Sequence, residues 1–219
     1  MELEQAIRHA LDGDALLFLG SGFSIGATPV KGNAFLTGRL LARSLYKDAG
    51  VETDDDQLNY AADAFLRSHS PERLIEILKE TCVASEISGA HETFATVPWK
   101  AIFTTNYDNI LELAYKKKGI DLHPITPESD SSEFTSKNPS CVHINGYALT
   151  AKASDLGSNL KLTNTSYLTE ALGLSNWGFL FKNAIENSKA VIFVGYSMYD
   201  LDIQRIIGNY IRDVTIWRC

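Results

Sequence analysis

Two uninterrupted apolar pentads, Ala15-Leu16-Leu17-Phe18-Leu19 and Ala190-Val191-Ile192-Phe193-Val194, constrain this chain more than any other feature. Each has the length of a strand and is far too short to span a bilayer. A strand apolar at every position must be covered on both faces, which is the condition of a parallel sheet. Ala101-Ile102-Phe103-Thr104 and Cys141-Val142-His143-Ile144 read as two further core strands, and Val214-Thr215-Ile216-Trp217 as the start of another. Between them apolar residues recur at helical spacing. Leu3, Ala6, Ile7, Ala10 and Leu11 predict a helix over 2–11, and Leu36, Leu40, Leu41 and Leu45 a second. Leu58, Ala61, Ala62, Phe65 and Leu66 predict a third, and Ser70-Pro71 opens a fourth carrying Leu74, Ile75 and Leu78. Later helices are expected over 109–118, stopped by Gly119, in two segments over 165–187, and over Asp202–Tyr210. Residues 126–139 and 148–164 read as loops. Strands alternating with helices give an α/β fold, a parallel sheet with helices on both faces and a helical insert at 33–96 beside it. At 219 residues the chain is expected to be a single domain, and the strand cut short at its end predicts an N-terminal fragment of a longer chain.

The acidic balance, 20 Lys plus Arg against 27 Asp plus Glu, argues against direct nucleic-acid binding. The acidic run Glu52 to Asp56 is expected to be solvated surface. Three cysteines, Cys82, Cys141 and Cys219, are too few and too scattered for a disulfide framework or a zinc pair. Their scarcity fits a reducing, cytoplasmic compartment. The charged N-terminus lacks a signal-peptide core, and no membrane association is expected.

In parallel sheets ligands bind beyond the carboxyl ends of the strands. Four polar turns fall there: Gly20-Ser21-Gly22-Phe23-Ser24, Thr105-Asn106-Tyr107-Asp108, His143 to Gly146, and Gly195-Tyr196-Ser197. Together they predict a shared pocket. The glycine-rich turn is either a phosphate cradle, because missing β-carbons let N–H groups approach an anion, or a tight strand-to-helix turn. Asn106 is either a turn residue or an uncharged amide that orients a water or a ribose hydroxyl. Asp108 suits a helix cap better than a reacting group. His143, at the end of an apolar strand, is the one histidine placed to act as a general base. His9, His69, His91 and His123 read as surface residues.

In order, these motifs resemble the sirtuin-like NAD-binding family, over about residues 14 to 210. That family carries a Gly-Ala-Gly-x-Ser loop, a Thr-Gln-Asn segment, a His-Gly pair and a late Gly-Thr-Ser or Gly-Tyr-Ser turn. The versions here, Phe103-Thr104-Thr105-Asn106-Tyr107-Asp108 and Val194-Gly195-Tyr196-Ser197-Met198-Tyr199-Asp200, are similar to the bacterial branch used in antiphage defence. The resemblance implies a Rossmann-like sheet and hydrolysis of NAD, as substrate, that depletes it in an infected cell. It implies Asn106, His143, Asn145 and Asp108 as catalytic candidates. Gly20, Ser21, Gly22, Phe23, Ser24, Thr105, Gly195 and Ser197 are implied as cofactor-binding. Homo-oligomers, and a HerA-type ATPase, an Argonaute-like protein or a sensor domain as partner, are implied likewise. No metal is expected, since the chain cannot supply the four thiolates of a sirtuin zinc ribbon.

One departure bears on the chemistry. The family's catalytic His directly precedes the Gly, where this chain has Asn145, with His143 two residues earlier. On a strand i and i+2 face one side, about 6–7 Å apart. Three readings stand: His143 as a displaced base, Asn145 in its place, or a site that binds NAD or ADP-ribose without turnover. The functional expectations follow: an NAD glycohydrolase, a nucleotide-binding regulatory module, or a zinc-free deacylase, which the missing ribbon disfavours.

Overall fold

The computed structural model describes residues 2–32, 34–136, 139–164, 166, 175–197, 201–210 and 216–218. Six strands form one sheet: β1 (Ala15–Leu19), β4 (Ala101–Thr104), β5 (His123–Ile125), β6 (Ser140–His143), β7 (Ala190–Val194) and β8 (Ile216–Arg218). Their order is β5-β6-β4-β1-β7-β8, and every pair is parallel. Both apolar pentads lie at the centre, in register from Ala15 opposite Ala190 to Leu19 opposite Val194. All of β1 is buried. Leu16 and Phe18 face the helices α8 (Asn176–Glu186) and α9 (Leu201–Tyr210), through Phe181, Ile185, Ile203 and Ile207. Leu17 and Leu19 face α6 (Ile110–Lys117), while Ala15 packs with α1 (Leu3–Leu11). This is the two-faced burial that the unbroken apolar runs demand, worth roughly 1.5–3 kcal/mol for each large side chain.

Three helices, α2 (Gly38–Asp48), α3 (Leu58–Leu66) and α4 (Pro71–Cys82), share a second core. Ser70 caps α4 with Pro71 at its first position, as its sequence predicts, and Thr37 caps α2. The second helix therefore begins after Leu36, and Leu40 is exposed while Leu41 and Leu45 are buried. Residues 148–164, expected as a loop, close this core with buried Ala148, Ala151, Leu160 and Leu162. Their apolar side chains are spaced irregularly because they fill gaps between helices and follow no strand or helix period. A two-stranded antiparallel ribbon, β2 (Thr28–Pro29) with β3 (Ala84–Glu86), joins the helices to the first loop. Such short pieces, like α5 (Gly89–Phe94), β5 and the single turn α7 (Glu133–Ser136), carry too few residues to show a period. Of the two segments expected over 165–187, the second is α8; most of the first lies outside the described residues, as do Met198-Tyr199-Asp200, Val214, Thr215 and Cys219. No described helix is long and apolar enough to cross a membrane.

The chain runs from β1 to β4 on one side of β1 and reaches β7 on the other, so the strand order reverses between β1 and β7. There the two following turns cross in backbone contact. Gly22 N–H donates to Gly195 O at 2.8 Å, and Gly20 N–H to Val194 O at 3.0 Å. Gly195 has φ +63°, and a β-carbon there would stand 2.1 Å from Phe23 N. Neither the left-handed backbone nor the space admits a side chain. Gly195→Ala is expected to lower unfolding free energy by about 3 kcal/mol, from left-handed strain plus overpacking, read as a lower urea midpoint at unchanged slope.

Candidate functional site

The four polar turns do meet. A cavity of about 800 Å³ opens at the carboxyl edge of the sheet and is lined by Ser21, Ser24, Thr105, Asn106, Tyr107, Asp108, Asn145, Tyr196 and Ser197. The remaining wall comes from the helical module: Phe35 to Arg39, Leu41, Asp56 to Leu58, and Cys82. Gly20, Gly22, Phe23, Gly195 and His143 are not among the lining residues.

Asn106 is held from every side. Its backbone N–H donates to Thr104 Oγ1 at 3.0 Å, and its Nδ2 donates to Gly20 O at 2.9 Å and Ser24 Oγ at 3.4 Å. Two acceptors on one branch of the amide fix which atom is nitrogen. Oδ1 then has no partner among the described residues, and the residue lines the cavity although it is only 8% exposed. Ser24 passes its own proton on, Oγ to Asp108 Oδ2 at 2.7 Å. Asp108 Oδ1 accepts from Ile110 N–H at 3.1 Å, so Asp108 does cap the start of α6. Burial pushes the Asp108 carboxyl up from its ordinary value, against the opposing pull of the Ser24 and Ile110 hydrogen bonds. Asn145 repeats the pattern at the end of β6: its Nδ2 donates to Thr105 O at 3.2 Å, and the side chain lines the cavity.

His143 points away from the cavity, into the layer beneath it. Nδ1 stands 3.1 Å from Asn106 O and Nε2 2.8 Å from Glu112 Oε1 on α6. Both neighbours are acceptors, so the ring carries a proton on each nitrogen and forms an imidazolium–carboxylate pair. Burial opposes that charge, but the carboxylate of Glu112 and the Cys141 sulfur outweigh it and hold the imidazole well above its ordinary value. The Tyr147 ring, 4.6 Å away between centroids, adds a cation–π contact. Glu112, Cys141 and His143 offer ligand atoms within 4.8 Å of one another, with Nε2 of the histidine engaged by Glu112. Burial also lifts the Cys82 thiol in the cavity wall to about 12, which makes it a packing group and not a nucleophile.

Position i+2 on the strand does not bring His143 beside Asn145, because β6 ends at His143 and the chain turns before Asn145. Two readings of surface residues are corrected. His91 is buried: Nδ1 accepts from Ser88 N–H at 3.1 Å, and Nε2 donates to Phe23 O at 2.8 Å, tying α5 to the glycine turn. Asp56 is not simply solvated but holds Arg39 and Arg43 at 3.5 and 3.9 Å at the cavity wall. Thr37, Gly38, Arg39 and Glu112 carry no motif that marks them. Only the Thr37 cap and a charged residue beside the buried stripe of α6 hint at them.

A crossover between β1 and β7, with an asparagine amide fixed below it, places the cavity at a strand-order switch, where open parallel sheets bind ligands. The SIR2-like domain model matches residues 100–214, and the chain belongs to that family. It is also 27% identical over 209 residues to the NAD(+) hydrolase ThsA of Acinetobacter baumannii (strain 532279), a match covering 94% of this chain. The chain spans 41% of that relative's length. The fold is α/β and Rossmann-like, as expected.

The buried pair has a measurable signature. His143 holds its protons more tightly folded than unfolded. Its contribution is full below the unfolded value of about 6.5 and is lost as pH rises through the raised folded value, by up to about 1.4 kcal/mol per unit. Urea midpoints of the wild type are expected to fall over that range, and His143→Gln to lack this component. His143→Ala leaves the Glu112 carboxylate buried alone and is expected to cost about 3–5 kcal/mol.

Proposed function

We propose that this domain is an NAD+ glycohydrolase that breaks the nicotinamide–ribose bond, and that in the bacterial cell this depletes NAD as an antiphage response. One observation carries the chemistry: Asn106 keeps its amide nitrogen on Gly20 O and Ser24 Oγ while its Oδ1 is left to the cavity. A preorganised acceptor there orients a water or a ribose hydroxyl at no reorganisation cost. Nicotinamide leaves as a neutral molecule from an oxocarbenium-like centre. That centre is electrophilic enough to accept water directly, and the water's second proton goes to solvent. No strong base is required, which suits a site where His143 is already protonated and enclosed. In this reading His143 acts on Asn106 through its backbone carbonyl, as a positioning residue. Asp108 and Ser24 hold the amide's other branch, and Asn145 supplies a second acceptor. Ser21, Thr105 and Ser197 complete the wall, while Gly20, Gly22, Phe23 and Gly195 shape it without touching substrate.

The likeness to an NAD(+) hydrolase supports the substrate. The enclosed position of His143 also favours a second reading, a module that binds NAD or ADP-ribose and leaves turnover to a partner. Nicotinamide release from NAD, followed by chromatography, separates them. Asn106→Ala is expected to lower release by at least about 100-fold with an unchanged far-ultraviolet spectrum, because a misplaced reactant costs that much. Normal turnover by that variant would remove the role of the amide. Binding of NAD without release by the wild type, alone and with a partner present, would favour the second reading.

A further inference from the structure

We propose that Cys141, His143 and Glu112 build a closed site for one Zn2+ ion between β6 and α6, beneath Asn106. The proposal stands apart from the reading of the cavity, because none of the three residues lines it.

Cys141 and His143 stand two residues apart on β6, so both side chains leave the same face of the strand. That face is the one α6 covers. Cys141 shares a core with Ile110, Leu111 and Ala114, and Glu112 of the same helix reaches His143 Nε2. Sulfur, ring nitrogen and carboxylate oxygen therefore converge, all within 4.8 Å of one another. A four-coordinate zinc ion with bonds of about 2.0–2.3 Å holds its donors roughly 3.3–3.8 Å apart. Nε2 and Oε1, at 2.8 Å, have to part by about half an ångström, within the play of a glutamate side chain.

Two details separate this cluster from an ordinary buried ion pair. Glu112 Oε2 is buried with no hydrogen-bond partner among the described residues, while Oε1 is bonded to His143. A buried carboxylate oxygen left bare calls for a ligand, and bidentate binding makes it the fourth donor. His143 Nδ1–H meanwhile donates to Asn106 O at 3.1 Å. A backbone carbonyl on the second ring nitrogen is what orients a metal-binding histidine and turns Nε2 toward the ion. The mixed sulfur, nitrogen and oxygen set suits Zn2+ and not Mg2+ or Ca2+, which take oxygen alone. Charge also balances. Without metal, the Glu112 carboxylate and the imidazolium sum to zero beside a neutral thiol. Binding releases one proton from His143 Nε2 and one from the Cys141 thiol, and carboxylate, thiolate and Zn2+ again sum to zero. No net charge is added to the interior. With His143 only 1% exposed and absent from the cavity wall, the site has no open position for substrate and is structural. It pins β6 to α6 and keeps the Nδ1–H bond under Asn106. The pH-dependent stability described above is that of the metal-free protein.

The test is metal titration of protein first cleared of metal by a chelator, with Zn2+ followed by elemental analysis and Co2+ by absorption. One Zn2+ is expected to stay with each chain through gel filtration, and Co2+ to give a thiolate-to-cobalt charge-transfer band. Cys82→Ala/Cys219→Ala, which leaves Cys141 as the one thiol of the chain, is expected to keep both the ion and the band. Cys141→Ala is expected to lose the band and to weaken Zn2+ by at least about tenfold, and Glu112→Gln to weaken Zn2+ similarly. Zn2+ is expected to raise the thermal midpoint of the wild type and to leave that of Cys141→Ala where it was. A wild type that retains Zn2+ far below one ion per chain, a Co2+ spectrum without the thiolate band, or a band that persists in Cys141→Ala would each overturn the proposal. If Cys141→Ala does not fold, the double variant decides: a band there sustains the proposal, and its absence overturns it. None of these readouts uses NAD, so their failure leaves the hydrolase reading standing, and failure of that reading leaves the metal site standing.

Discussion

The turns that follow β1 and β7 touch backbone to backbone, and most of the site descends from that contact. Gly22 N–H on Gly195 O fixes the height at which the first turn leaves the sheet. That height sets Gly20 O and Ser24 Oγ where the Asn106 amide can bond both. A side chain at Gly195 would push the two turns apart and release the amide. The glycines therefore act by what they lack, allowing a crossing that any β-carbon would block.

Asn106 is gripped on two levels by charges it does not itself carry. Above, its side chain is the first link of a chain that runs through the Ser24 hydroxyl to the buried Asp108 carboxylate. Below, its carbonyl accepts from an imidazolium paired with Glu112. Hydrogen bonds to ionised partners are stronger than neutral ones, and in a buried setting they hold geometry well. A neutral amide exposed to the cavity but anchored to buried ions is rigid without bringing a full charge to the substrate. Under the proposed hydrolysis, that suits a reaction centre that becomes positive and would be trapped by a bare carboxylate.

The helical module and the sheet divide the cavity between them. The sheet turns contribute Ser21, Ser24, Asn106, Asn145 and Ser197, and the start of α2 contributes Thr37, Gly38 and Arg39. The module holds its place through a core that borrows Ala148, Ala151, Leu160 and Leu162 from the segment after β6. The same segment carries Lys161, whose carbonyl accepts the Tyr107 hydroxyl at 2.5 Å, so the wall and the floor are linked through it.

Unbroken apolar runs can lie only in a doubly covered sheet, so the strands β1, β4, β6 and β7, and with them the α/β class, were legible in the residues alone. So was the meeting of four turns at one edge, because parallel strands all present their carboxyl ends together. Asp108 as a cap follows equally from local chemistry. What a linear pattern cannot carry is the direction of a side chain after a strand has ended. His143 and Asn145 stand two residues apart, yet one turns down to Glu112 and the other lines the cavity. His91 looked like a surface residue because its partner, Phe23 O, lies 68 residues away. Whether the glycine turn offers its N–H groups to a ligand or spends them on Gly195 depends on a contact across the width of the chain. Local periodicity determined the elements and their order; the orientation of each polar group was decided only when distant turns came within hydrogen-bonding distance.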